Sequence, residues 1–475
     1  MYLSALELQQ ATQGKWHHRT PGNLRCIKTD SRHFEHGDAF LALHGPHFDG
    51  HHYAHGLDGK ACAFIGDHQG VKGWSDLATP QLEVQNTQFA LGDIAHAWRK
   101  KLRNTTIVAI TGSYGKTTVR SMLVHVFDAL GMKTTATKGN LNNLIGVPMT
   151  LLGIPDDTDI AFIECGISEI GEMQRLSEIV HPDIVIFTGI TAAHSEGLGG
   201  LRGVIYEKTQ LLNHLSDQGW CALGHGVGEQ LRDIHHHHCM GICVGYHMLG
   251  SQLTLSYGDE QASLSLPLPA AHWGENMAFV ASIALQYTQR QQRCISLTEL
   301  TKSLASWQPV QGRLQSISGI NGCLILDDSY NANPVTMQAA LHTLAAMPSR
   351  RIAILGDMAE LGDVAISAHK QLDASQCDLL ILVGKNMHGL YQQQAPSASL
   401  MWFANTDDFL AWVTHDFFTA QDTILIKASR SMRFDKIVSA LNTDETFSPH
   451  AMKGLSQATK AARFHAQKPG SAHAV

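Results

Sequence analysis

Short, nearly continuous apolar runs recur along the chain, and stretches with helical spacing separate most of them. In the middle of the sequence these runs fall at residues 106–110, 160–163 and 184–187, and in the last third at 323–326, 352–355, 379–383 and 423–426. Runs of this kind spell strands buried on both faces, the signature of a mainly parallel sheet. Residues 335–346 give the clearest amphipathic helix. The first 85 residues differ: brief runs at 39–43 and 61–65 sit among Gly, His and Asp turns. The pattern predicts an α/β protein of three blocks. These are a small α/β module at 1–85, a central domain at 86–310 with a parallel sheet, and a doubly wound, Rossmann-like domain at 311–452. Residues 453–475 carry no core pattern and are expected to form a frayed tail. In such sheets ligands gather beyond the carboxyl ends of the strands.

At that edge, the run at 106–110 passes into Thr111-Gly112-Ser113-Tyr114-Gly115-Lys116-Thr117-Thr118 and then into a helical stretch. Strand, glycine-rich turn and helix N-terminus form the context of a phosphate-binding loop. Gly112 and Gly115 allow backbone N–H groups to close around phosphate oxygens, Lys116 brings a positive charge, and Thr117 offers a hydroxyl for Mg²⁺. Only two residues separate Gly112 from Gly115, fewer than in the common form of this loop. The chain is therefore expected to bind ATP with Mg²⁺.

Further polar residues fall at the same sheet edges. Glu164 ends one strand and His194 follows another, so both can serve a second Mg²⁺. The stretch at 137–148, with Asn142 and Asn143, suits substrate binding as well as turning. Asp328 and Asn331 lie in Asp328-Ser329-Tyr330-Asn331-Ala332-Asn333-Pro334, where carboxylate and amide groups can grip a ribose or base. Ser329 or Asn333 can equally be a helix cap. Arg313, at the junction between blocks, can stabilise charge in phosphoryl transfer. ATP ligands divided between two blocks imply a hinged closure. Lys208, by its own context, reads as a lysine on a solvated helix.

Composition narrows the class. A hydrophobic fraction of 44%, a charged fraction of 16% and a net charge of −7 fit a globular enzyme, not a nucleic-acid binder. The start lacks the basic flank and apolar core of a signal peptide, and no apolar run is long enough to span a bilayer. Nine cysteines without a framework spacing suggest reduced thiols in a cytoplasm; the protein is separately expected to be a monomer. His235–His238, with Cys239 and Cys243 after it, lacks a second ligand pair at zinc-module spacing and reads as a solvated loop.

Taken together, the segments resemble the Mur ligase family over nearly the whole chain, to about residue 445. Asp30-Ser31-Arg32, Gly37-Asp38-Ala39-Phe40 and Phe48-Asp49-Gly50-His51 are similar to its uridine-nucleotide motifs. Residues 111–118, 140–148, Glu164 and Ala193-His194 are similar to its central ATPase domain, and His272 with Asn276 to its adenine-side motif. Asp328 to Pro334, Gly356-Asp357-Met358-Ala359-Glu360-Leu361-Gly362 and the run from Lys427 through Arg430 to Arg433 resemble the branch that adds D-alanyl-D-alanine to a UDP-linked muramoyl tripeptide. The resemblance implies an ATP-dependent amide ligase working through an acyl phosphate, with Lys208 carbamylated as a Mg²⁺ ligand. It further implies that Ser31, Arg32, Asp49, Asn142 and Asn143 serve the UDP-linked acceptor. Asp357, Glu360, Lys427 and Arg430 would then serve the incoming dipeptide. Four places depart from the family's usual residues: Gly189, Trp273 with Ala270, Ala428, and Thr209-Gln210 after Lys208. They leave open a specialised ligase for another carboxylate and amine. A nucleotide-binding subunit without catalysis is the remaining alternative.

Overall fold

The computed structural model describes residues 3–22, 24, 26–45, 47–191, 197–231, 238–395 and 397–443. His194, His235 to His237 and the tail at 453–475 lie outside the described residues. Two compact units emerge. One contains Met1–Leu266 with His272–Gln308, the other Pro267–Ala271 with the chain from Pro309 onward.

In the first unit, the small N-terminal sheet runs Lys15–His17, Gln81–Val84, Ala63–Asp67, Ala39–Leu41, Ile27–Lys28 from edge to edge. Three of these strands are too short or too polar to stand out as apolar runs. The helix Thr87–Arg99 follows and packs on Ala5–Thr12, Gly146–Leu152 and Glu172–Val180. Asn86 caps it by accepting from Phe89 N–H, at 2.9 Å. One continuous apolar core contains Leu3, Leu82 and Val84 together with Ile94, Ile107 and Ile163. The first block therefore shares one side of its interior with the central one, while Phe40, Phe64 and Trp74 belong to a second core of its own.

The central sheet is parallel throughout, in the order His238–Met240, Trp220–Leu223, Ile184–Phe187, Thr106–Thr111, Ile160–Glu164, Thr134–Ala136. The strand that feeds the glycine-rich turn is thus interior, flanked by the strands ending at Phe187 and Glu164. All three pack their apolar residues on both faces, as continuous runs require. Cys221 and Cys239 sit opposite each other on adjacent strands and form a disulfide, with Cα atoms 4.6 Å apart. This corrects the expectation that all nine thiols are free. Strand register, which spacing in sequence does not show, brings the two together.

The second unit holds a six-stranded sheet ordered Gln315–Ser318, Leu324–Asp327, Asp422–Lys427, Arg350–Gly356, Leu379–Val383, Leu400–Phe403. Only the first pairing is antiparallel. The predicted helix appears as Pro334–Ala345, with Asn333 as its cap in a reciprocal box with Thr336 and Pro334 in the first turn.

Candidate active site

The glycine-rich turn takes the shape that its sequence permits. Gly112 has φ +151°, and a Cβ there would meet the Thr188 hydroxyl at 2.2 Å. Gly115, at φ +80°, opens the helix Lys116–Ala129. Both positions favour glycine. Ser113 N–H donates to the Gly189 carbonyl (2.6 Å), and Thr191 N–H donates to Ser113 Oγ (3.1 Å). The Lys116 ammonium bonds the Gly112 carbonyl at 2.6 Å. Thr118 lies half-buried in the first turn of the helix.

Thr117 and Glu164 come together as expected for neighbouring strand ends. The Thr117 hydroxyl lies 3.2 Å from Glu164 Oε1. Glu164 is 3% exposed, and a carboxylate buried that deeply needs a partner. Arg120 supplies it at 2.9 Å. Arg120 stands one turn beyond Lys116 on the same helix face, a position that the sequence reading passed over although an arginine in that apolar helix was the available signal. Glu164 N–H also donates to Thr137 Oγ1 (2.9 Å), which ties the 137–148 stretch to this edge. In that stretch Asn142 lies against Gly166, whose N–H bonds the Asn142 carbonyl at 2.8 Å. Asn143 is exposed, and its side chain accepts from Ile145 and Gly146 N–H at the start of a helix.

Lys208 corrects the solvated-helix reading. It lies near the end of the helix Gly200–Thr209 and is buried. Burial, followed by the like charge of Lys116, drives its pKa well below the ordinary lysine value. No acidic side chain among the described residues pairs with it, so the neutral amine is favoured.

The departures from family pattern have physical counterparts. A Cβ at Gly189 would lie 2.3 Å from the Tyr114 ring, so glycine at 189 makes room for tyrosine at 114. Trp273 is core: it is buried and meets Trp307 edge-on at 5.5 Å. His272 and Asn276, one turn apart on the helix Ala271–Arg290, are half-buried.

In the N-terminal sheet region, Ser31 begins a short 3-10 turn, and Asp30 grips Arg32 through Nε (2.9 Å) and Nη2 (2.7 Å). Asp49 accepts from both the backbone and the ring of His51.

In the second unit, Lys427 is buried and donates to Asp328 Oδ2 (2.6 Å) and the Asn331 carbonyl (3.0 Å). The Tyr330 ring has Arg313 at 4.1 Å and Arg430 at 5.5 Å from its centroid. Asp357 accepts from Asn386 and Met387 N–H. Glu360, at φ 62°, is exposed. Ser429 links the two segments, donating its N–H to the Asp357 carbonyl and accepting from Ala359 N–H.

Residues 110–284 match the Mur ligase middle domain, and residues 312–430 match the Mur ligase, glutamate ligase domain. A UDP-N-acetylmuramoyl-tripeptide--D-alanyl-D-alanine ligase of Escherichia coli (strain K12) is 33% identical over 89% of this chain and 95% of its own. The chain belongs to the Mur ligase family. As a Mur ligase it is an ATP-dependent, ADP-forming ligase. The Haemophilus influenzae ligase of the same name is 28% identical over 92% of this chain and 98% of its own. The crystal structure of MurF from Acinetobacter baumannii superposes with a TM-score of 0.81 at 29% identity, covering 92% and 98% of the two chains. Among the described residues no helix of this Mur ligase is long and apolar enough to cross a membrane.

Proposed function

We propose that this Mur ligase joins D-alanyl-D-alanine to the free carboxyl of UDP-N-acetylmuramoyl-tripeptide, with ATP converted to ADP and phosphate, in peptidoglycan precursor synthesis. The end-to-end likeness to the Escherichia coli ligase of that name carries the reading. In this scheme residues 1–85 hold the UDP-linked acceptor, 86–310 the ATP, and 311–452 the dipeptide.

We assign residue roles from the family resemblance together with the geometry within each unit. The loop at 111–118 wraps the phosphates, and Lys116 leaves the Gly112 carbonyl to stabilise charge on the transferring phosphoryl. The acceptor carboxylate attacks the γ-phosphorus, giving an acyl phosphate and ADP. The dipeptide amine then adds to the acyl carbon and expels phosphate. Thr117 and Glu164 form an oxygen pair suited to Mg²⁺, with Arg120 balancing the carboxylate until the ion arrives. That ion would neutralise charge on the phosphate oxygens. Only a neutral amine adds CO₂, releasing a proton and leaving a carbamate, and the depressed pKa of Lys208 meets that condition. With His194, the carbamate of Lys208 would complete the anionic side of the metal site. His272 and Asn276 serve the adenine side, and Arg313, Asp328 and Asn331 complete nucleotide binding. Ser31, Arg32, Asp49, Asn142 and Asn143 serve the acceptor, and Asp357, Glu360 and Arg430 the amine substrate, while Lys427, buried against Asp328, acts on that substrate only by holding the segment in place.

The test is ADP release across a panel of UDP-muramoyl peptides and amines, with product mass determined. Activity that requires the tripeptide and D-alanyl-D-alanine supports the reading. Turnover only with another carboxylate or amine overturns it in favour of a specialised family member.

A further inference from the structure

Arg120 and Glu164 form an ion pair inside the central block, 8% and 3% exposed. The contact has a shape that charge balance alone does not require. Arginine and carboxylate often meet fork to fork, with both carboxylate oxygens engaged. Here Nη1 alone meets Oε2 alone, at 2.9 Å. Among the described residues the one side-chain partner of Oε1 is the Thr117 hydroxyl at 3.2 Å, which also lies 3.3 Å from Oε2.

The two oxygens of Glu164 are therefore unequal. Oε2 is held by a guanidinium, a group that does not give up its charge in a protein. Arg120 comes from the helix Lys116–Ala129, among the buried Val119, Met122 and Leu123. Glu164 ends an interior strand, and its N–H is tied to Thr137 Oγ1 at 2.9 Å. If either side chain turned away, a buried charge would be left without its partner. A dication that gripped both oxygens would have to approach Oε2 beside the guanidinium, cation against cation where screening is weak. A dication on Oε1 alone avoids most of that repulsion.

Ions differ in how they take a carboxylate. Mg²⁺ demands near-ideal octahedral geometry and keeps several waters, which suits a single carboxylate oxygen. Ca²⁺ accepts more oxygens in a looser arrangement and is readily served by both oxygens of one carboxylate. We propose that Arg120 is a positioning residue that makes Glu164 a one-oxygen ligand, and so selects Mg²⁺ over Ca²⁺ at the Thr117–Glu164 pair. This rests on the reading of that pair as a metal site. Once an ion is bound, the charge of Arg120 is no longer needed for balance, but its hydrogen bond still withholds Oε2.

The test is displacement of Mn²⁺ from the full chain without nucleotide, followed by the electron paramagnetic resonance of the free ion, with Mg²⁺ and Ca²⁺ as competitors. Glu164→Gln defines the Mn²⁺ held elsewhere on the chain. In the wild type, Mg²⁺ should displace the site's Mn²⁺ at lower concentration than Ca²⁺. Arg120→Gln keeps a hydrogen-bond donor without the charge, and should raise Ca²⁺ affinity at least ~10-fold more than Mg²⁺ affinity. Arg120→Lys keeps the charge and should hold the ratio close to the wild-type value. Equal gains for both ions in Arg120→Gln would make Arg120 a plain counter-ion and overturn the proposal. So would a wild-type chain that binds Ca²⁺ as tightly as Mg²⁺, a measurement that stands even where the variants fail to fold. Mn²⁺ binding undiminished in Glu164→Gln would instead remove Glu164 from the metal site, and the earlier reading of the pair would fall with it.

Discussion

Two lysines, Lys208 and Lys427, are buried almost completely, yet the charges around them act in opposite directions. Lys427 has Asp328 at 2.6 Å and the Asn331 carbonyl at 3.0 Å; burial lowers its pKa, and the carboxylate pulls the other way. Lys208 has burial and the like charge of Lys116 acting in the same direction. Burial lowers both, but only Lys427 has a carboxylate beside it that favours the ammonium. Depth alone does not decide the state of a buried lysine. The nearest charge does.

The strongest test of this contrast acts on the charge that disfavours Lys208. Lys116→Ala should cut ADP release by about a thousandfold or more while the circular dichroism spectrum stays native. Turnover near the wild-type rate would remove Lys116 from phosphoryl transfer. Next, Lys208→Ala should be nearly inactive and partly rescued by short carboxylic acids. Intact-protein mass under CO₂ should show a carbamate on Lys208 and none on Lys427, and an unmodified Lys208 at full activity would erase the proposed difference. Third, Asp328→Ala strands the Lys427 ammonium in the interior and should cost about 3–5 kcal/mol in urea unfolding. Adding Lys427→Met should recover much of that loss, and no recovery would mean that Asp328 acts through something other than the pair.

The smallest effect extends the comparison to a base of lower pKa. Burial lowers His96 from about 6.5 to about 4. The folded state therefore holds fewer protons than the unfolded chain between those values. Stability from this group is full above pH 6.5 and falls as the pH drops toward 4. In His96→Gln the slope of stability against pH in that window should flatten by up to one proton. An unchanged slope would place the titration elsewhere.

Legibility in the sequence followed how local each feature is. The glycine-rich turn was readable because strand, loop and helix adjoin in the chain, and Glu164 because it ends an apolar run. Strands Lys15–His17 and Ile27–Lys28 were not, since two or three residues give no period to count. Arg120 was missed because its partner lies on another strand, 44 residues away. Lys427 read as a free cation for a substrate carboxylate, although the structure gives it Asp328, 99 residues earlier. The half-burial of Asn276 likewise depends on neighbours that no motif names. Lys208 is the sharpest case: nothing in Glu207-Lys208-Thr209 marks it as interior, and only its resemblance to a family position pointed inward.

The apolar core shared by Leu82 and Val84 with Ile94, Ile107 and Ile163 has a consequence for how such a protein can be dissected or exchanged. Residues 1–85 bury one face of their sheet in a core of their own, around Phe40, Phe64 and Trp74, and the other face in the core shared with the central block. Cut out, they would expose the faces that Thr87–Arg99 and its neighbours cover. A block built this way cannot be transplanted between relatives like a bead on a string; it must travel with the neighbour that covers its second face.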